Sequence, residues 1–224
     1  MPAAARRSPL HAALTQYQTR WGVWEGMPVA LDLGEPEAER SAMERLALAD
    51  WTAVRRLALK GPSAVAFLAG RGVTVPETVL HWHEQGAGGL IGRTGAAEVF
   101  LESGLQAGWF DELEATLASR PAGVYRVLRE DACLLLLGRL AMQVLAEACP
   151  LDWQAEEGRL VFTRVAGVSC MVLHRPLLGH ECRQIWVDNT YARYLWETLL
   201  AIVQEHGGRA VGLGPFVESR PHEG

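Results

Sequence analysis

Histidines, cysteines and a run of glycines are where this chain could do chemistry. His81-Trp82-His83-Glu84 would set two imidazoles on one side of a strand, the start of a two-ligand metal site. The same string runs at once into Gln85-Gly86 and reads equally as a solvated loop. His180-Glu181-Cys182, with His174 nearby, is a second metal candidate, but it lacks both the i, i+4 spacing of a helical site and a C-x-x-C pair. Cys182 is also a candidate thiol nucleophile, for which the sequence offers no orienting base. Gly86-Ala87-Gly88-Gly89-Leu90-Ile91-Gly92 resembles a phosphate-cradling loop in composition alone. Such a loop must open a helix, whose N-terminal N–H groups hold the phosphate. The next apolar segment, Glu98-Val99-Phe100-Leu101, is strand-like, so the glycines read as a tight turn. No G-x-S-x-G or P-loop string is present. No catalytic, cofactor-binding or metal-binding residue is assigned.

The elements that would position these groups are written twice. LKGPSAVAFLAGRG at 59–72 and LLGRLAMQVLAEAC at 136–149 each run from the end of an apolar strand through a glycine, Gly61 or Gly138, into a short amphipathic helix. A strand pair comes next in each half, over 89–102 and 159–174, and then a second helix, over 109–117 and 191–206. The expected fold is α+β, with two similar βαββα-type lobes packed together. The boundaries expected are an N-terminal extension over 1–50, a first lobe over 51–121, a second over 122–206 and a flexible tail over 207–224. Within the extension, Ser8 and Pro9 should open a helix, 29–33 a short strand, and 36–48 a helix. The segment 51–59 reads as the strand that leads to Gly61. Cys133-Leu134-Leu135-Leu136-Leu137 shows no alternation, as expected of a strand covered on both faces. The closing helix should bury a stripe of Tyr191, Tyr194, Leu195, Thr198, Leu199 and Ile202.

Composition excludes several classes of function. A net charge of −5, with arginines scattered along 224 residues, gives no basic stripe for nucleic acid. No apolar run approaches the ~20 residues of a membrane span. Arg6-Arg7 followed by Leu10–Leu14 is too short and interrupted for a secretory signal, so the expected location is cytoplasmic. Cys133, Cys149, Cys170 and Cys182 all fall in the second half and read as reduced, buried thiols. Lys60 is the only lysine, leaving nearly all positive charge on guanidinium groups, which suit carboxylate pairing and subunit interfaces. Trp21, Trp24, Trp51, Trp109, Trp186 and Trp196 divide between core and surfaces that partners would bury.

Longer strings carry a family resemblance. RSPLHAAL, GMPVALDLGEPEAER, ALADWTAVRRLALKGPSAVAFLAGRGVTVP, CPLDW, FTRVAGVSCMVLHR and IWVDNTYARYLWETLL together resemble the gamma subunit of heterotetrameric sarcosine oxidase, over nearly the whole chain. That subunit is in turn similar to the folate-binding domain of the glycine-cleavage T-protein, an aminomethyltransferase, whose segments Gly26–Val29 and Lys60–Ala64 echo. The resemblance implies a folate-binding aminomethyltransferase-like domain. It further implies a non-catalytic subunit of a complex that demethylates sarcosine to glycine and passes the one-carbon unit to tetrahydrofolate. FAD, FMN, NAD, zinc and tetrahydrofolate would then be carried by partner subunits and none by this chain. The equivalent subunit of N-methylglutamate dehydrogenase and a free-standing folate-binding one-carbon protein are the alternatives. The departures point the same way: where aminomethyltransferases carry an aspartate near the folate amine, Arg93–Glu98 offers only Glu98, and a K-G-C-Y-x-G-Q-like string is absent.

Overall fold

The computed structural model describes residues 6–105 and 107–217. The chain divides into two compact units. One comprises the residues up to Ala53 together with Asp131–Glu157 and those from Val161 on; the other comprises Val54–Glu130 and Gly158–Leu160.

The second unit is the simpler. It runs β4 (Arg56–Lys60), α3 (Ala64–Ala69), β5 (Trp82–Gln85), β6 (Gly89–Gly95), β7 (Glu98–Glu102), α4 (Gly108–Leu117) and β8 (Tyr125–Leu128). The strands form one antiparallel sheet in the order β5-β6-β7-β4-β8. Leu57, Leu59, Ile91, Val99 and Leu101 alternate onto one face, where Phe67, Leu68, Phe110 and Leu113 of the two helices cover them. Each such side chain contributes roughly 1.5–3 kcal/mol of burial.

The first unit opens with α1 (His11–Leu14), the hairpin β1 (Arg20–Trp24) and β2 (Met27–Asp32), α2 (Pro36–Arg45) and β3 (Ala47–Asp50). After the other unit the chain returns as β9 (Ala132–Leu137), α5 (Ala141–Ala148), β10 (Leu160–Val165), β11 (Val168–Leu177), β12 (His180–Val187), α6 (Ala192–Glu205), β13 (Arg209–Val211) and α7 (Gly214–Val217). Its main sheet has the order β10-β11-β12-β9-β3-β13. The run from β9 to β13 therefore repeats the run from β4 to β8 element for element. The difference is β3, which lies between β9 and β13, antiparallel to the former and parallel to the latter.

Gly61 and Gly138 occupy matching strand-to-helix turns, at φ 118° and 92°. A Cβ would fall 2.4 Å from the Gly123 carbonyl oxygen at the first and 2.5 Å from the Arg45 carbonyl carbon at the second. Both turns thus require glycine for conformation and for space.

Several expected boundaries shift. Each half is βαβββαβ, two strands longer than βαββα: beside the expected strand pairs stand β5 in one half and β12 in the other, and β8 and β13 follow the second helices. β8 pairs with β4, which moves the unit boundary from 121 to about Glu130. The segment before residue 51 contributes a sheet strand, since Ala47–Asp50 pairs with β9 instead of ending the preceding helix. The segment expected as a strand from 51 begins only at Arg56. The 207–224 stretch is not a loose tail as far as it is described: Arg209–Val211 pairs with β3, and Phe216 is buried against Trp51. Residues 218–224 lie outside the described residues. The stripe of α6 is rotated, burying Ala192, Leu195, Trp196, Leu199 and Val203 and leaving Tyr191 and Tyr194 exposed.

Gly138→Ala should cost about 2 kcal/mol or more, because strain and overlap add. Gly167→Ala, at φ 81° with nothing within 4 Å, should lose only the backbone share, about 1 kcal/mol. Urea or thermal unfolding of the two variants checks this; equal losses would contradict the close approach at Arg45.

Candidate functional site

The histidine strings do not build a metal site. His81 and His83 are both exposed, His83 on the edge strand β5 opposite Ile91. Glu84 instead accepts a 3.3 Å hydrogen bond from the Gly88 backbone within the adjoining turn. That turn is formed by Gly86 and Gly88 at φ 61° and 73°, and it leads into β6, so the glycine run is a hairpin turn. His180 Nδ1 lies 3.1 Å from Glu44, and its ring meets the edge of Phe216. Among the described residues no group of three or more His, Cys, Asp or Glu side chains could hold a metal ion.

Cys182 is fully buried inside β12, so no substrate reaches its sulfur. Cys133, Cys149 and Cys170 are buried free thiols as well, and burial pushes the Cys170 pKa up to about 12. Glu98 opens β7, half-buried, in an ion pair with Lys60 directly across the strand pair at 3.2 Å.

The structure does assemble a polar line that no sequence motif marks. It crosses three strands of the six-stranded sheet on the face opposite the α5–α6 core. Arg175 of β11 donates from Nε to Gln184 Oε1 of β12 at 3.0 Å, and Gln184 donates from Nε2 to Cys133 Sγ of β9 at 3.5 Å. The Cys133 N–H donates to Thr52 Oγ1 at 3.2 Å, and the Thr52 N–H donates to Asp50 Oδ1 at 3.0 Å. Arg175, Gln184, Cys133 and Thr52 are each at most 2% exposed. A guanidinium only donates and an amide both donates and accepts, so the line fixes the relative positions of the three strands. A subtler sequence signal was present: Arg175 and Gln184 stand beside the apolar residues Leu173, Leu177, Ile185 and Trp186 of their strands.

Asp50 also reaches a small cavity lined by Ser8, His11, Trp21 and Met27. Its volume of about 10 Å³ admits roughly one water and no pterin ring. His11 Nδ1 is buried there without a protein partner and its ring packs 4.4 Å from Trp21. In the other unit an open groove of about 750 Å³ runs past Leu117, Arg120, Pro121 and Tyr125.

A buried ion pair, Arg56–Glu102 at 2.8 Å, joins β4 and β7 with both side chains fully enclosed. Arg183, 5% exposed, faces the half-buried His174 across the β11–β12 pair. Burial first and the Arg183 charge second hold the His174 pKa below its ordinary value, against the pull of Glu157 and Glu181.

Of the six tryptophans, Trp24, Trp51, Trp186 and Trp196 are at most 2% exposed, and Trp21 and Trp109 are half-buried. Exposed apolar area lies instead on Val23, Tyr125, Leu128, Phe162, Tyr191 and Tyr194. No described helix is long and apolar enough to cross a membrane.

With this geometry in hand, comparison with known proteins is informative about the fold. No protein-family model matches the chain. A stretch of 51 residues, 23% of the chain, is 33% identical to the aminomethyltransferases of Thermoanaerobacter pseudethanolicus (strain ATCC 33223 / 39E) and Thermoanaerobacter sp. (strain X514), and spans 14% of each. Among solved structures, the glycine cleavage system aminomethyltransferase T from Bartonella henselae superposes with a TM-score of 0.75 at 18% identity, over 94% of this chain and 60% of that one. A chain of the heterotetrameric sarcosine oxidase from Corynebacterium sp. U-96 superposes with a TM-score of 0.62 at 19% identity, over 90% of this chain and 96% of that one. The fold is aminomethyltransferase-like. The chain spans only part of the aminomethyltransferases it matches and nearly all of the sarcosine oxidase chain.

Two measurements test these placements. Native protein should show no thiol reacting rapidly with an aromatic disulfide reagent, and all four should react in guanidinium; one fast native thiol would contradict the burial of that cysteine. Because the folded chain resists protonating His174 more than the unfolded chain does, stability should fall as pH drops from about 7 to about 5. His174→Gln should lessen that fall in the urea midpoint; an unchanged pH slope would rule His174 out as its source.

Proposed function

We propose that this chain is a non-catalytic subunit of a sarcosine oxidase-like complex, the gamma type. In that role it stabilises or positions the subunits that demethylate sarcosine to glycine and transfer the one-carbon unit to tetrahydrofolate. The observation that carries the reading is coverage: the match to a chain of a heterotetrameric sarcosine oxidase extends over 96% of that chain, whereas the aminomethyltransferase is matched over only 60% of its length. The interior supports it. The buried polar groups of the large sheet are engaged with one another, Glu98 is tied to Lys60, and the cysteines are enclosed. FAD, FMN, NAD, zinc and tetrahydrofolate then belong to partner subunits.

The mechanism is indirect. A chain that binds the folded form of its neighbours stabilises them by mass action, and a rigid neighbour can hold a folate-binding domain at the geometry its reaction needs. No atom of this chain has to touch the amine. The N-methyl amine oxidised fixes the name of the complex, and a subunit of N-methylglutamate dehydrogenase would serve in the same way.

A second reading has its own support. The aminomethyltransferase superposition has the higher TM-score, 0.75 against 0.62, which favours a free-standing folate-binding one-carbon protein.

Co-purification of the tagged chain from its native cells separates the two. Under the subunit reading, flavin absorbance and amine-dependent oxidation co-elute with the chain, and omitting it lowers assembly or cofactor retention without rescue by added folate. A solitary, colourless chain that binds tetrahydrofolate, with affinity lost in Glu98→Ala, would overturn the subunit reading in favour of the second.

A further inference from the structure

The two repeats can be laid on one another by register. Gly61 follows β4 as Gly138 follows β9, so Lys60, Leu59 and Ala58 correspond to Leu137, Leu136 and Leu135. β8 then stands to β4 as β3 stands to β9. Tyr125, Arg126 and Val127 oppose Lys60, Leu59 and Ala58, and Ala47, Leu48 and Ala49 oppose Leu137, Leu136 and Leu135, antiparallel in both cases. The far edges differ. β13 covers that of β3, running parallel to it with Arg209, Ala210 and Val211 against Ala47, Leu48 and Ala49. It also packs on α6: Ala210 shares a core with Leu199 and Val203, and the Gly208 N–H donates to the Val203 carbonyl at 2.8 Å. Among the described residues no strand but β4 pairs with β8. Beside β8 lies the open groove instead, bounded by Leu117 at the end of α4, the counterpart of α6, and by Tyr125 and Arg126.

We propose that the open edge of β8 receives an extended segment of a partner polypeptide, laid parallel to β8 as β13 is laid along β3. The site follows from the repeat alone, whichever complex supplies the segment.

The register states which chemistry fits. Strand addition gains affinity from main-chain hydrogen bonds, and the side chains of the host strand select the sequence. Paired residues point to the same face. Arg126 shares the helix-covered face with Leu59, and Tyr125 and Val127 turn to the other. A residue seated as Ala210 is therefore comes to lie beside Arg126, and residues seated as Arg209 and Val211 lie beside Tyr125 and Val127. Tyr125 is 62% exposed and Val127 half-buried, so apolar residues suit both positions. Arg126 meets Glu114 of α4 yet remains 44% exposed, which leaves guanidinium donors for a second carboxylate. Arg120, exposed on the same groove, makes no ion pair among the described residues. The segment is thus apolar, acidic and apolar at three successive positions, where β13 is basic, small and apolar.

The probe is a capped peptide of the sequence Gly207–Leu213 carrying Arg209→Val and Ala210→Glu, which keeps the rest of the β13 stretch and installs that pattern. It should bind the full-length chain saturably in fluorescence anisotropy. The same peptide with Ala210→Lys should bind at least about tenfold more weakly, the loss of one hydrogen bond to a charged group. Arg126→Glu in the protein should reverse the preference. Hydrogen exchange gives a reading on the wild-type chain: the glutamate peptide should slow amide exchange within Tyr125–Leu128. No saturable binding at millimolar peptide, equal affinity for the two peptides, or slowed exchange confined to other strands would overturn the proposal. So would protection of β8 by self-association of the peptide-free chain, which would make the occupant a second copy.

Discussion

A strand that is apolar on both faces must be covered on both faces and paired on both edges. β9 is such a strand: all of Ala132–Leu137 is buried. Its even-numbered residues meet the α5–α6 core, and its odd-numbered residues, Cys133 among them, meet the opposite side. β12 satisfies one edge and β3 the other. The need for that second edge partner gives the N-terminal segment its place, because β3 is drawn from a stretch more than eighty residues upstream. With β3 seated, β13 can pair alongside it and carry α7 with it. Gly138 then turns the chain off the end of β9 so tightly that it lies against the Arg45 backbone just before β3.

This dependence also separates the parts of the fold that were legible in the sequence from those that were not. The Gly61 and Gly138 turns were readable because each is set by local conformation. β9 was readable because a run of leucines without alternation, too short for a helix of its own and bounded by Gly138, fits a doubly covered strand. β3 was not. ALAD continues the helical stripe of α2 without a break, and only pairing with β9 and β13 makes it a strand. β5 and β13 were missed for a related reason: a strand on a sheet edge is specified by its neighbour more than by its own residues. β12, a central strand, was missed because it opens on the polar run His180-Glu181-Cys182-Arg183. The rotation of the α6 stripe is the same effect in a helix. Tyr191 and Tyr194 have the right spacing for burial, yet the sheet selects Ala192 and Trp196.

The candidate site was less legible than the fold, because attention fell on the residue types that usually do chemistry. His81 and His83 are close in sequence, as are His174 and His180, yet among the described residues no group of three or more possible ligands forms around either pair. Arg175 and Gln184 converge without clustering, being brought together by strand pairing across the β11–β12 hairpin. A charged or amide side chain at an inward position of an apolar strand is the signal that finds such a pair, since burial without partners would cost several kcal/mol. The resemblance of the longer strings led to the correct fold by another route, through order and spacing along the whole chain.

The period of a strand determines the contribution of the buried polar line. Slipping β12 by one residue against β9 or β11 would turn every side chain to the opposite face. An all-apolar sheet resists that slip weakly when both faces are greasy, as they are along β9. Arg175, Gln184 and Cys133 change the balance, because in any slipped register the guanidinium and the amide lose their mutual partners while staying buried. The Arg56–Glu102 pair imposes the same restriction between β4 and β7. The polar interior of this chain thereby holds its strands in register.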